Sequence, residues 1–593
     1  MNTTRLYGVS FFADGKRLLG SSDESGVFNA FAFSVTDGSR TQLTFSVQDP
    51  VRVVSPFPAD DRFLFLRDSG GDENHHLYVC ETDGSERDLT PIPGVKAVFA
   101  GWRRDGEAFF VRLNERNRQF HDLYEFSARE YGRRMIFKDE VGYGFGPISE
   151  DGEWLSMITI RSYSEAGMHL LHLPTGEMRH LSETPETTGY PQCFDPAGKW
   201  LYYVSHGGSD FLRARRYHLR SGRHEDVEKA SWDVQWVQFL PGGRYRCSGI
   251  NEDGRTVVRM VETATGRTVH WPKLPAGEMN NIAFSRSEDR MAFLLDGARS
   301  PSDLWQIDLA TNTAKALSRN LSPSVDPDDL VEVEVVRFKA SDGLVIPNML
   351  WRPHQASPKK RAPAVVLLNG GPGGQWRQGY FSLSQFLANH GYVVLGVNIR
   401  GSSGYGRAFN RADDRRHAEE PLRDVVEAKA WLIRQPYVDT GRVAVVGGSY
   451  GGYMTLAALT FHPEVFDAGV DVFGPSNWIR TLESMPPYWE AVREAAYHEM
   501  GHPEKDRERL KAMSPLFHAS RIRKPLLVIQ GANDPRVVRA ESDEIVEAVR
   551  KNGVTVEYLV FPDEGHGFSK RVNEVAAWQR ILKFLDRELH LEP

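Results

Sequence analysis

Cysteine is scarce: Cys80, Cys193 and Cys247 are the only three in 593 residues. They are odd in number and far apart, and no C-x-x-C pair occurs. Neither a disulfide framework nor a cysteine zinc site is expected, and no cofactor motif takes its place. Long apolar runs are missing too. No stretch of about 18 uninterrupted apolar residues exists, so no membrane span is expected. The opening segment MNTTRLYGVSFFADGK lacks a basic stretch followed by an apolar one, as a secretory signal would have. The cytoplasm is the simplest expectation. Charge of one sign is also lacking. Seventy-two basic residues face 79 acidic ones, for a net charge of −7. Such a balance provides no field for nucleic acid. A homo-oligomer is compatible with the composition.

What the chain has is glycine, aromatics and a repeat. Gly (53) and Pro (33) suggest many turns, and hydrophobic residues at 40% exclude wholesale disorder. At about 150 residues per domain the length suggests about four domains. Up to residue 325, however, short β-rich runs recur every 40 to 50 residues or so, the spacing of propeller blades. The first turn of each unit falls at Asp14-Gly15, Asp60-Asp61, Asp105-Gly106, Asp151-Gly152, Ala197-Gly198, Gly242-Gly243 and Glu288-Asp289. A second turn recurs at Asp37-Gly38, Asp83-Gly84, Thr175-Gly176, Ser221-Gly222, Thr265-Gly266 and Thr311-Asn312, and is blurred in the third unit. Such pairs supply the positive φ of tight hairpins. Seven units predict a seven-bladed β-propeller over 1–325. A pair of β-sandwiches is the rival, but sandwiches do not hold one period over seven units.

From 326 to 593 the texture changes. VEVEVVRF and LVIPNMLW predict an antiparallel pair, and PAVVLLN, YVVLGVNI, RVAVVGGS, DAGVDVF, PLLVIQG and VEYLVF predict buried strands. Amphipathic segments between them, such as PLRDVVEAKAWLIRQ and ESDEIVEAVRKNG, predict helices. The alternation describes an α/β-hydrolase fold: a doubly wound, mostly parallel sheet.

The sharpest local signal is Gly447-Gly448-Ser449-Tyr450-Gly451-Gly452, between a buried strand and a helical run. That is the context of a nucleophile elbow. A phosphate-cradling loop is the rival, but no Lys-Ser/Thr pair follows the glycines. A serine nucleophile needs a base, and the base needs an orienting carboxylate. Asp534 and His566 follow in the expected chain order, each just past a strand. Asp563 and Glu564 are rival orienters, too close to His566 in sequence to reach its far nitrogen. The Tyr450 N–H is one expected oxyanion donor, and the loop Asn369-Gly370-Gly371-Pro372 offers a second.

These motifs carry a resemblance. GGSYGGYMT from Gly447, NIRGSSGYGRAF from Asn398, QGANDPRV from Gln530 and FPDEGHGF from Phe561 resemble the prolyl oligopeptidase family of serine peptidases. The likeness is nearest its acylaminoacyl-peptidase and dipeptidyl-aminopeptidase branch. It implies catalytic Ser449, Asp534 and His566, and short peptides as substrates. It implies that Arg536 binds a substrate carbonyl or carboxylate, and that Tyr450, Trp478 and Val537 line an apolar S1 pocket, with core packing an equal reading for Trp478. Where relatives have Tyr or His before Gly-Gly-Pro, this chain has Asn369, so the second oxyanion donor is expected to be the Gly371 N–H. The family's N-terminal helix is expected to be missing or very short. Acidic propeller residues bind the substrate's amine in dipeptidyl-peptidase relatives. Glu73 is a candidate, though a solvated loop is the preferred reading, and Glu419-Glu420 suits a helix start.

Two other functions remain open on the sequence. The same triad serves a carboxylesterase, and the propeller of an inactive hydrolase would serve as a binding scaffold.

Overall fold

The computed structural model describes residues 3–182 and 188–590. Its first half consists of seven four-stranded antiparallel sheets, running from Leu6 to Ala316. Every sheet is built from four consecutive strands, so each predicted hairpin turn joins neighbours within one blade. First and last blades therefore exchange no strand. The ring closes through side chains instead: Leu6, Val9 and Phe11 pack with Ala292, Leu294 and Leu304 in one buried cluster.

The second half is built on an eight-stranded sheet. Its spatial order is Val333–Lys339, Val345–Trp351, Val393–Val397, Ala362–Leu368, Val438–Gly448, Ala468–Val472, Leu526–Gly531 and Val556–Phe561. The first two strands pair antiparallel, and all strands from Ala362–Leu368 onward pair in parallel. Both faces are covered, as the unbroken apolar runs require. Ala364, Val366 and Leu368 point into one core, while Val365 and Leu367 point into the other.

Nine helices run along or beyond this sheet among the described residues: α1 (Ser382–Asn389), α2 (Arg407–Asn410), α3 (Glu420–Leu432), α4 (Tyr450–Phe461), α5 (Trp478–Glu483), α6 (Glu490–Met500), α7 (Arg507–Met513), α8 (Ala540–Arg550) and α9 (Arg571–Glu588). Helices α5 to α7 form an insertion between the sixth and seventh sheet strands in sequence. There α6 reaches across to pack on the propeller strand Trp154–Ser162.

The two halves are tied together by charge and by backbone. Glu165 of the propeller pairs with Arg407 and Arg411, Glu278 pairs with Arg377, and Asp23 pairs with Arg571. Val27 bridges Lys570 in antiparallel fashion, and the Arg571 N–H donates to the Gly26 carbonyl at 3.1 Å. These last contacts clamp the loop that follows the final sheet strand.

Candidate active site

Ser449 sits between the strand Val438–Gly448 and α4, with φ at 57°. Positive φ is costly for a residue with a side chain, and such strain collects at functional sites. The turn exists because two glycines leave room. A Cβ at Gly447 would strike the Gly451 carbonyl, and one at Gly451 would strike the Leu368 carbonyl.

Two further loops deliver partners to the serine. His566 Nε2 lies 2.9 Å from Ser449 Oγ, and His566 Nδ1 lies 2.6 Å from Asp534 Oδ2. With a carboxylate on Nδ1, the imidazole carries its proton there and turns a lone pair toward the hydroxyl. Asp534 is itself fixed. Its Oδ1 accepts the Arg536 and Val537 N–H groups at 2.8 and 2.9 Å, and its side chain is fully buried. The rival carboxylates are engaged elsewhere. Asp563 faces Lys570 and Asn573, while Glu564 accepts from Ser569, the Lys570 N–H and Asn573.

The glycine loop after Ala362–Leu368 runs close to the serine: a Cβ on Gly370 would lie 3.5 Å from Ser449 Cβ. Asn369 Oδ1 accepts the Gly370 N–H at 2.8 Å. Among the described residues neither the Gly371 N–H nor the Tyr450 N–H has an acceptor.

Tyr450, Tyr453 and Trp478 form a buried aromatic group at the starts of α4 and α5. Trp478 is 5% exposed, with its ring 5.0 Å from Tyr453 and 6.4 Å from Tyr450. Val537 is buried inside the Asp534 loop, its carbonyl accepting Gln530 Nε2 at 3.0 Å. The Tyr450 hydroxyl reaches back to His417 Nδ1 at 2.7 Å, and burial raises its pKa well above the usual phenol value.

Glu73 calls for a correction. A solvated loop was the preferred reading, but its side chain is only 14% exposed and reaches across to the hydrolase half. Glu73 Oε1 lies 2.6 Å from Arg536 Nε, Oε2 accepts the Tyr488 hydroxyl at 3.0 Å, and Lys96 Nζ is 3.6 Å from Oε2. Its φ is 60°, another strained position. Burial pushes the Glu73 carboxyl up, but Arg536 and then Lys96 hold it below the ordinary range. Local sequence carries no sign of this burial, because the partners come from three distant segments. A cleft of about 530 Å³ opens beside these groups, lined among others by Arg52, Glu73, Lys96, Arg536 and His566.

Sequence reasoning also missed Asp413, His417 and Glu499, buried behind Tyr450. Among the described residues only this group brings three metal-type donors within 4.8 Å of one another. Both His417 nitrogens are already engaged, Nδ1 by Tyr450 and Nε2 by the Glu499 carbonyl at 3.2 Å. The group fits a proton-sharing polar network supporting Tyr450 better than a metal centre. Glu419 and Glu420 pair with Arg416 at the start of α3. No helix among the described residues is long and apolar enough to cross a membrane.

Known proteins resemble the chain in sequence and in fold. Residues 379–592 match the model of the prolyl oligopeptidase family. Over 590 residues the chain is 32% identical to dipeptidyl aminopeptidase BIII of Pseudoxanthomonas mexicana, covering 96% of this chain and 84% of that protein. It is 28% identical to dipeptidyl peptidase family member 6 of Caenorhabditis elegans, covering 98% and 84% respectively. In fold it is similar to a puromycin-hydrolyzing peptidase of Mycobacterium tuberculosis, with a TM-score of 0.85 at 20% identity over 100% of this chain and 95% of that one. Propeller, hydrolase sheet and serine elbow thus come together in one lineage: the chain belongs to the prolyl oligopeptidase family and is a serine peptidase.

Proposed function

We propose that this peptidase removes short fragments, dipeptides foremost, from the free amino ends of peptides through an acyl-enzyme on Ser449. The chemistry rests on one observation, the continuous contact from Ser449 through His566 to Asp534. Ser449 Oγ attacks the scissile carbonyl carbon while His566 Nε2 takes its proton. Asp534 holds the imidazole and stabilises its charged form. The Tyr450 and Gly371 N–H groups receive the oxyanion, each contributing about 3 kcal/mol. The leaving amine departs with the proton held on His566. Water then adds to the ester carbonyl, giving its proton to His566, which returns it to Ser449 Oγ as the acyl C–O bond breaks and the product carboxylate leaves.

The choice of substrate end rests on Glu73. A carboxylate carried by the propeller into a cleft beside His566 suits a terminal ammonium, and the relative with 32% identity is named a dipeptidyl aminopeptidase. Arg536 beside it suits a peptide carbonyl, since its planar fork presents fixed donors. Trp478 and Val537 would support the S1 side of the site.

A panel of peptide anilides with free and acetylated amino ends, matched at P1, tests both parts. Cleavage of free dipeptidyl anilides, lost in Ser449→Ala, is expected. Full activity in Ser449→Ala would exclude the mechanism, and faster cleavage of the acetylated set would exclude the substrate end. A matched ester with no accompanying amide cleavage would favour an esterase instead.

A further inference from the structure

The cleft beside His566 carries more positive charge than Glu73 can balance. Its lining includes Arg5, Arg52, Lys96 and Arg536 against Asp68, Glu73 and Glu564. Arg5 is spoken for by Asp23 at 2.8 Å and Glu574 at 3.3 Å. Glu564 is fully buried and turned to donors of its own loop. Arg536 is matched by Glu73. What remains is Arg52, together with Lys96, which shares the Glu73 carboxylate with Arg536, and Asp68 as the other anion.

Arg52 has no carboxylate partner among the described residues, and its Nε is buried without an acceptor. Lys96 lies 3.6 Å from a Glu73 oxygen already bonded to Tyr488, and donates to the Glu73 main-chain carbonyl at 2.8 Å. Its ammonium also sits 3.8 Å from the centre of the Tyr488 ring. Asp68 is 4% exposed and accepts the Glu73 N–H at 3.2 Å, so it supports the Glu73 loop from behind.

Burial dominates the shifts of the groups around the cleft. Burial pushes the Lys96 ammonium down. His75 is held low by burial, with Lys96 and Arg52 adding to the effect against Asp68. His121 is pushed down to about 4 by burial, then by Arg112 and Lys96. Desolvated guanidinium and ammonium groups are costly unless an anion meets them. Both cations line the cleft that also holds Glu73 and His566.

We propose that Arg52 and Lys96 form a subsite for a carboxylate on the amino-terminal residue of the substrate, so that the enzyme favours peptides beginning with Glu or Asp. The inference rests on the free-amine reading above. In it, Glu73 takes the ammonium and the two propeller cations take the side-chain carboxylate of the same residue. Guanidinium suits that partner because it offers two parallel donors, and both pairs are charge-assisted.

The test compares Glu-Ala, Gln-Ala and Lys-Ala anilides, which carry no free α-carboxylate and so isolate the side chain. Wild type should show kcat/KM for Glu-Ala about 10- to 100-fold above Gln-Ala, the range of a hydrogen bond to a charged group. In Arg52→Gln and Lys96→Met that ratio should collapse toward one, and Arg52→Glu should turn the preference toward Lys-Ala. Labelling of Ser449 by a fluorophosphonate reports that each variant keeps a folded site. Equal wild-type rates on Glu-Ala and Gln-Ala would overturn the subsite while leaving dipeptide release standing. No cleavage of any free dipeptidyl anilide, with acetylated ones cleaved, would remove the reading on which it rests.

Discussion

Arg536, in the loop after the strand Leu526–Gly531 and two residues beyond the carboxylate that holds His566, faces Glu73 of the second propeller blade at 2.6 Å. One ion pair thus joins the substrate cleft to the interface between halves. Glu73→Gln should raise KM for free-amine dipeptidyl anilides by about 10- to 100-fold, with a smaller change in kcat. Acetylated substrates should be nearly indifferent to it. Steady-state kinetics on the two series reads the difference, and an equal loss on both would assign Glu73 to domain fastening alone.

Asp534→Asn should leave the loop in place yet lower kcat steeply, by about 10⁴-fold, because an amide no longer fixes the imidazole tautomer. Single-turnover assays should locate the loss in acylation. Asp563→Asn, which touches only Lys570 and Asn573, should retain near-normal kcat.

Behind the glycine loop, Arg400 forms a buried fork with Asp424, the two side chains being 7% and 0% exposed. Asp424→Ala leaves that guanidinium with only the half-exposed Asp342. The expected cost is about 3–5 kcal/mol, read as a lower urea midpoint of the hydrolase half. A shift well under 1 kcal/mol would show that Asp342 and water suffice.

The network behind Tyr450 should make stability depend on pH. Burial pushes the Asp413 and Glu499 carboxyls up, and repulsion from neighbouring acids adds to it. Burial pushes His417 down to about 4. Raised carboxyls bind more protons in the folded state, so their contribution to stability falls as pH climbs above about 4. The depressed histidine acts in the opposite direction, but only up to about pH 6.5. Between pH 6.5 and 8 the carboxyls alone remain, and wild type should lose on the order of 1 kcal/mol per pH unit relative to Asp413→Asn. Parallel pH profiles for the two proteins would dismiss the coupling.

Sequence patterns exposed the scaffold well because it is local. Each propeller turn joins strands adjacent in the chain, and each buried sheet strand is an apolar run bounded by its own loop. Ser449, Asp534 and His566 were legible for the same reason, each standing at the end of such a run. Helices α5 to α7 lack that simplicity: residues such as Trp478, Met500 and Leu510 join the hydrolase core while α6 also packs on the propeller, so no one repeating pattern describes them. The burial of Glu73, His417 and Glu499 is invisible in sequence because polar residues are usually exposed, and only distant partners bury these.

At one point near the site the two halves meet main chain against main chain. Gly71 of the propeller, at φ 84°, abuts Gly565, so that a Cβ on Gly71 would lie 2.5 Å from the Gly565 nitrogen. Asn533 Nδ2 fastens the adjoining Gly70 carbonyl at 2.9 Å. A joint of bare main chain leaves nothing to trim when a neighbour grows, so drift on one side has no compensating partner on the other. Chimeras that graft a relative's propeller onto this hydrolase should therefore succeed only when residues 68–74 and 562–570 travel as a pair.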